Sequence, residues 1–347
     1  MRDGTVLVGR IDGRFNLRLH VRALAWGCGI FGAMIVLGAI GLGLGTLSFA
    51  PGEVATALLG GGNPGASLVI VQWRLPRIVV AMAIGGALGM SGAIFQSLIR
   101  NPLGSPDVIG FSTGAHSGAL IAIILFAAGP AAIALGAVAG GLVTAALVYG
   151  LAWRGGVEGM RLILVGVAIS AMLGAFNHWL MISGSLEATM GAAVWGTGSL
   201  AGIGWPRAVP SGLLCLAGML VCLTQATRLR LLEMGDDCAA SLGIDPARSR
   251  LALLTLGTAL TAAATAATGP IAFIALAAPQ LAQKLLRSGA ASPAAAGAVG
   301  GLLLLGADLL AQHGFAPVSL PVGLVTVCIG GLYLVWLLLR QQRIDIG

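Results

Sequence analysis

Two arginines three residues apart, Arg74 and Arg77, flanking a Leu75-Pro76 pair expected to turn and hold them on one surface, and one carboxylate set deep among apolar residues, Asp308, are the charges in this chain whose surroundings give them a role. Chemistry of the catalytic kind has no foothold beside them. The four histidines, His20, His116, His178 and His313, form no close pairs, and lone histidines pack or sit at rims more often than they hold metal. The five cysteines, Cys28, Cys215, Cys222, Cys238 and Cys328, show no CxxC spacing. Four of them lie in apolar stretches, where the thiol behaves as a small hydrophobe, so neither a disulfide framework nor a metal site is expected. There is no glycine-rich phosphate loop followed by Lys-Ser/Thr, no HExxH and no GxSxG. No region gathers an acid, a base and a nucleophile. The chain is expected to be no enzyme, to need no cofactor, and to take any energy it uses from a partner.

The elements that position these charges are apolar. Of 347 residues, 57% are hydrophobic and 9% charged, against about 25% charged in a soluble domain, and the mean hydropathy is +0.97. Glycine occurs 55 times, which suits helices whose backbones approach closely inside a bilayer. A span takes roughly 20 apolar residues. The sequence offers ten such stretches, at about 23–48, 77–99, 108–128, 131–152, 162–183, 208–226, 251–269, 271–286, 293–311 and 321–339. The run from Leu251 to Leu281 is too long for one span, and Gly269-Pro270 divides it. The first stretch is far longer than the roughly 7–15 apolar residues of a secretion signal, so it reads as a retained helix behind a basic segment, residues 1–22. The expected fold is all-α: about ten transmembrane helices in one domain, residues 23–340, with a short tail at 341–347.

Charge orients the bundle. With the N-terminus inside and one crossing per stretch, all of the nineteen basic residues except Arg74, Arg77 and Arg207 fall on one side. That is the cytoplasmic side, and both termini belong there. The net charge of +7 is thus a signal of orientation, not of nucleic acid. Two non-spanning segments remain. Residues 184–207, rich in glycine, lie outside and predict a short helix near the membrane surface. Residues 228–250, RLRLLEMGDDCAASLGIDPARSR, lie inside; Leu231, Leu232, Ala239, Leu242 and Ile244 are their apolar positions, and Glu233, Asp236 and Asp237 their acidic ones. Physics alone leaves this loop as either a docking site or a solvated connector. Asp308 should be paired, because an intramembrane carboxylate is costly; a helix-packing contact is favoured over a proton relay or a path-lining role.

WRLPR at 73–77, SGAIFQSLIRNPLGSPDVIGFSTG at 91–114, SLGIDPARSR at 241–250, GPIAFIALAAPQ at 269–280 and LPVGLVT at 320–326 together resemble the FecCD-type permeases, in order, from about residue 40 to 340. The resemblance implies a cobalamin-permease-like ABC importer fold in a bacterial inner membrane. It implies a cytoplasmic ATP-binding-cassette ATPase dimer beneath, a second related permease subunit alongside, forming a heterodimer, and a periplasmic siderophore-binding protein above. The implied cargo is a ferric siderophore of the catecholate, enterobactin-like kind, with cobalamin or haem as alternatives. Arg74 and Arg77 would dock the binding protein, the alternative being lipid anchoring. Leu231, Leu232, Glu233, Asp236, Asp237, Leu242 and Gly243 would form the ATPase-coupling helices, with Gly243 ending one of them. Asn101, Pro102, Gly104 and Pro106 would make a structural turn with a role in the inner gate, or a plain loop. Gln280, Gln283 and Gln312 depart from the family pattern, where basic residues are common. An ion-coupled carrier would need paired midplane charges and broken helices, and only Asp308 offers anything of that kind.

Overall fold

The computed structural model describes residues 5–8, 17–107, 109–153, 159–286, 292–315 and 318–344. Arg2, Arg10, Arg14, Arg154 and Arg287, with parts of the basic N-terminal segment and of the tail, lie outside the described residues. A two-stranded antiparallel ribbon, β1 (Thr5–Val8) with β2 (Leu17–His20), precedes the bundle; among the described residues it is the one departure from an all-α reading. Helix α1 (Val21–Gly43) follows, then α2 (Pro51–Leu58) and α3 (Pro64–Ser67). The latter runs through a π-helical segment, Leu68–Arg74, into α4 (Leu75–Ile99). Next come α5 (Phe111–Leu120), extended by a π-helical turn Ile121–Leu125, and α6 (Pro130–Ala152), α7 (Gly159–Ser183), α8 (Leu186–Gly196) and α9 (Trp205–Thr224). Two short helices, α10 (Ala226–Glu233) and α11 (Asp236–Ser241), lead to α12 (Pro246–Thr268), α13 (Ile274–Leu286), α14 (Pro293–His313) and α15 (Val322–Ile344).

Each of the ten predicted stretches coincides with one of these helices. Seven are long and apolar enough to cross a membrane, and two shorter apolar helices accompany them among the described residues. The predicted break holds: α12 ends at Thr268, Gly269 adopts φ +75°, and Pro270 carries the chain into α13. The second stretch needs correcting. It begins at Pro64, not near residue 77, because α3, the π-helical segment and α4 form one continuous 36-residue helix. The short helix expected in 184–207 is α8, capped by the Ser185 hydroxyl, which accepts from the Ala188 N–H at 3.3 Å.

Helix α4 is the axis of the bundle. Every residue from Ile84 to Ile99 is buried, and α4 packs on α14, α12, α9 and α13. The run GGALGMSGA makes this possible. A Cβ at Gly89 would lie 2.2 Å from the Ala296 carbonyl oxygen of α14, and one at Gly92 would lie 1.7 Å from that of Ala275 in α13. Only glycine lets those backbones meet, the usual solution where lipid supplies no hydrophobic drive between helices. The Ser91 hydroxyl adds a polar link, donating to the Gly257 carbonyl of α12 at 2.7 Å. By contrast only 11% of the α7 span and 17% of the α9 span are buried; their apolar faces are left for lipid or for another chain.

Candidate docking and coupling surfaces

At one end of α4 the two predicted arginines come together, but not by a turn. Leu75-Pro76 lies within the continuous helix, which passes straight through from the π-helical segment, and the Val71 carbonyl one turn before Pro76 accepts from the Trp205 indole N–H at 2.9 Å. The heads are held by partners instead. The Arg77 guanidinium meets Asp308 side-on, with Nε donating to Oδ2 at 2.9 Å and Nη2 to Oδ1 at 2.7 Å. Asp308 is 1% exposed and Arg77 19%. One turn along α14, Gln312 Nε2 donates to Asp308 Oδ2 at 2.8 Å. Asp308 is therefore a helix-packing anchor, as its sequence setting favoured. Arg74 donates to the carbonyls of Leu42 at 2.7 Å and Leu47 at 2.6 Å, and lies 5.2 Å from the Phe49 ring centroid. Those partners are neutral, so they leave its charge uncancelled. Both arginines line an open pocket of about 580 Å³ with Thr46, Gln72 and Gln312.

The opposite end of α4 carries the 228–250 loop. Arg100 closes α4 in the left-handed region, φ +54°, rare for a residue with a side chain. Its guanidinium donates to the Leu232 carbonyl at 3.0 Å and reaches Asp236 at 3.3 Å. Arg250 Nη2 donates to the same carboxylate at 2.7 Å, and the Ser97 hydroxyl donates to Glu233. Gly243 ends α11 as expected, at φ +82°. Its N–H donates to the Ala240 carbonyl, and that of Ile244 to Ala239, the paired bonds of a Schellman motif. Asp245 then caps α12, accepting from Ala247 and Arg248. The seven predicted coupling residues thus divide. Leu232 is buried in the chain's own core, Leu231 is half-buried against it, and Glu233 and Asp236 are tied to α4 and α12. Asp237, Leu242 and Gly243 are exposed, together with Met234, which the sequence pattern passed over.

Between α4 and α5 the chain turns on Asn101, whose side-chain oxygen accepts from the Leu103 N–H and whose carbonyl accepts from Gly104, both at 2.9 Å. The Pro102 carbonyl accepts from Gln280 Nε2 at 2.7 Å, and Gln280 Oε1 accepts from the Tyr333 hydroxyl at 3.0 Å. Gly104 and Pro106 are buried. This is a built turn tied to α13 and α15. Asp107, which sequence reasoning left out, accepts from the Ser112 hydroxyl and the Phe273 N–H, and burial pushes its carboxyl above the usual range. Gln280 and Gln312, read in sequence as departures from a family pattern, are both hydrogen-bonded here, Gln280 through both ends of its amide.

The same arrangement of helices is found in a solved structure described as an inward-facing conformation of a metal-chelate type ABC transporter. The TM-score is 0.81 and the identity 26%, over 91% of this chain and 99% of that one. The protein is thus a multi-pass membrane permease of the ABC-transporter class. More particularly, it belongs to the FecCD transport family, whose model matches residues 33–340. It is 48% identical to the ferric enterobactin transport system permease protein FepG of Escherichia coli (strain K12), over 90% of this chain and 94% of that relative. It is 38% identical to the achromobactin transport system permease protein CbrC of Dickeya dadantii (strain 3937), over 97% of each.

Proposed function

We propose that this chain is the membrane-spanning subunit of an importer that moves a ferric siderophore of the catecholate, enterobactin-like class from periplasm to cytoplasm. The observation that carries the reading is the 48% identity to the ferric enterobactin permease along nearly its whole length. The chain itself has no phosphate-binding loop, so ATP is hydrolysed by a cytoplasmic ATPase dimer. Ten crossings with both termini inside put the Arg74 end in the periplasm and the α10–α11 end in the cytoplasm. Arg74 and Arg77 then meet the acidic lobes of a siderophore-binding protein; Arg74 presents the uncancelled charge and Arg77 fixes the rim. Leu242, Gly243, Asp237 and Met234 face the ATPase, while Leu231, Leu232, Glu233 and Asp236 hold α10–α11 on the bundle. The Asn101–Pro106 turn, latched by Gln280, sits where an inner gate would close. The thinly covered face at α7 suits a second, related permease.

The test is uptake of iron-labelled enterobactin in a strain lacking its own permease, with this chain supplied beside its ATPase, second permease and binding protein. Restored uptake is expected, and none in cells retaining every component but this chain. Reporter fusions at residues 190 and 238 check orientation: outside and inside respectively is expected, and one side for both would refute it.

A further inference from the structure

Of the three arginines set apart by the charge pattern, two are held by partners and one is not. Arg207 lies in the first turn of α9, two residues beyond Trp205, whose indole bonds the Val71 carbonyl near Arg74. It is exposed, and among the described residues its guanidinium makes no ion pair and no hydrogen bond. It lines an open groove of about 770 Å³ between α6, α8, α9 and α12. On α9 the groove takes Arg207, Pro210 and Leu214, a spacing that sets all three on one helix face. At 1.5 Å per residue the groove runs about 10 Å along that face, with Arg207 at the end where α9 begins. Helix α12 makes the floor, since 61% of its span is buried against 22% for α6 and 17% for α9. It contributes Ala266 and Ala267 there, whose short side chains leave the space that longer ones would fill. Trp195 of α8 lines the groove as well, and tryptophan settles at the level of lipid headgroups. No acidic residue lines it.

An apolar groove with one unpaired cation at its end poses two demands at once. Water would solvate the guanidinium but gains nothing from the alanine floor. A plain hydrocarbon chain would fill the groove but leave the charge bare at a membrane edge, which is costly. An amphiphile with an anionic head meets both demands, and the arginine fork matches two oxygens of a phosphate. We propose that the groove holds one anionic phospholipid, its phosphate on Arg207 and one acyl chain lying along α9 over the α12 alanines. A zwitterionic lipid suits the site less well, because its amine would find no carboxylate. The length also fits: one leaflet of a hydrocarbon core of about 30 Å is about 15 Å deep, and the groove reaches about two-thirds of that. The assignment needs only that the chain spans a membrane; the orientation proposed above puts this lipid in the outer leaflet.

The test uses this chain assembled with its ATPase and second permease, purified in detergent and titrated with phosphatidylglycerol or phosphatidylcholine of equal chain length. Native mass spectrometry reads the affinity of the tightest-bound lipid. The wild type should hold phosphatidylglycerol more tightly than phosphatidylcholine. Arg207→Gln should weaken phosphatidylglycerol about fivefold, the effect of one basic residue at an anionic headgroup, and leave phosphatidylcholine unchanged. Ala266→Phe, which fills the groove from α12, should remove the tight site for both lipids. Ala131→Phe fills it from α6 and decides the matter if the first variant fails to assemble. Equal affinity of the wild type for the two lipids overturns the proposal, as does tight phosphatidylglycerol binding that neither Arg207→Gln nor a groove-filling variant changes. A second arm asks whether a protein covers the groove instead. Leu214→Cys, at a position 61% exposed, should react in membranes with a thiol reagent carried on a lipid chain. Cross-linking of that cysteine to the second permease, with no lipid-borne labelling, overturns the lipid assignment.

Discussion

Replacing Arg77 with leucine strands Asp308. Among the described residues, Arg77 supplies two hydrogen bonds to that carboxylate and Gln312 supplies one. The carboxylate is 1% exposed, so water does not replace what is lost. Removing one partner of a buried ion pair costs about 3–5 kcal/mol. Gln312 stays in place and Arg77 is itself 19% exposed, which points to the lower end, about 3 kcal/mol, or more than a hundredfold in the folded-to-unfolded ratio. Removing both charges, with Arg77→Leu and Asp308→Leu together, should recover most of that loss, since apolar replacement of a whole buried pair is often neutral or better. The assay is the fraction of detergent-solubilised protein that stays monodisperse after graded heating, for the wild type, both single variants and the double. A single Arg77→Leu variant as stable as the double would refute the reasoning. The consequence for docking is practical: lost uptake in an Arg77 variant reports folding first.

Arg74→Glu is the cleaner probe of docking, because its partners are backbone carbonyls; insertion should stay near wild type while uptake per inserted molecule falls, in a salt-sensitive way, as rim charges are screened over roughly 8–10 Å. Unchanged uptake per molecule would leave Arg74 a lipid anchor. Leu242→Asp places a charge on the exposed apolar tip of α11, and should abolish transport while the protein still inserts; normal transport would reduce the loop to a connector. Gly92→Val drives a Cβ into the Ala275 carbonyl, whereas Gly191→Val enters open space; the first should destroy the folded bundle in the heating assay and the second should not, and equal stability would disprove the close α4–α13 contact. The buried Asp107 carboxyl titrates above its ordinary 3.8, so the folded chain holds that proton more tightly than the unfolded one, and stability falls as pH rises from the unfolded value through the folded one. Asp107→Asn should remove that slope from the unfolding midpoint measured against pH, and a slope that persists would show that another group is responsible.

The spans were legible because bilayer physics imposes a length and a polarity that the sequence must obey. The Gly269-Pro270 break was legible because those two residues leave the backbone few alternatives. Gly243 was legible for the same reason. What stayed hidden needs three dimensions. Nothing in the sequence says that Arg77 and Asp308, 231 residues apart, face each other; a Leu-Pro pair between two arginines reads as a turn until the preceding π-helical segment is seen to continue into it. The split within the 228–250 loop was equally invisible, since Leu232 and Leu242 look alike by type, and only packing shows one buried and the other free.

The two ends of α4 belong to one mechanical element. At one end Arg77 ties it to α14 through Asp308; at the other Arg100 ties it to α10 and α11 through the Leu232 carbonyl and Asp236. Between them the backbone contacts at Gly89 and Gly92 leave no slack for bending. On the proposed reading, a push delivered at α11 would reach α4 through Arg100 and its bonds to Leu232 and Asp236. Two irregular places lie beside this element: the Gly269-Pro270 break between α12 and α13, which both pack on α4, and the Asn101–Pro106 turn at the end of α4 itself. The turn is latched to α13 and α15 by the hydrogen bonds of Gln280 with Pro102 and Tyr333. Movement of α4 against α13 must strain or release that latch; on the proposed reading, a movement at the α10–α11 loop would reach the path through it.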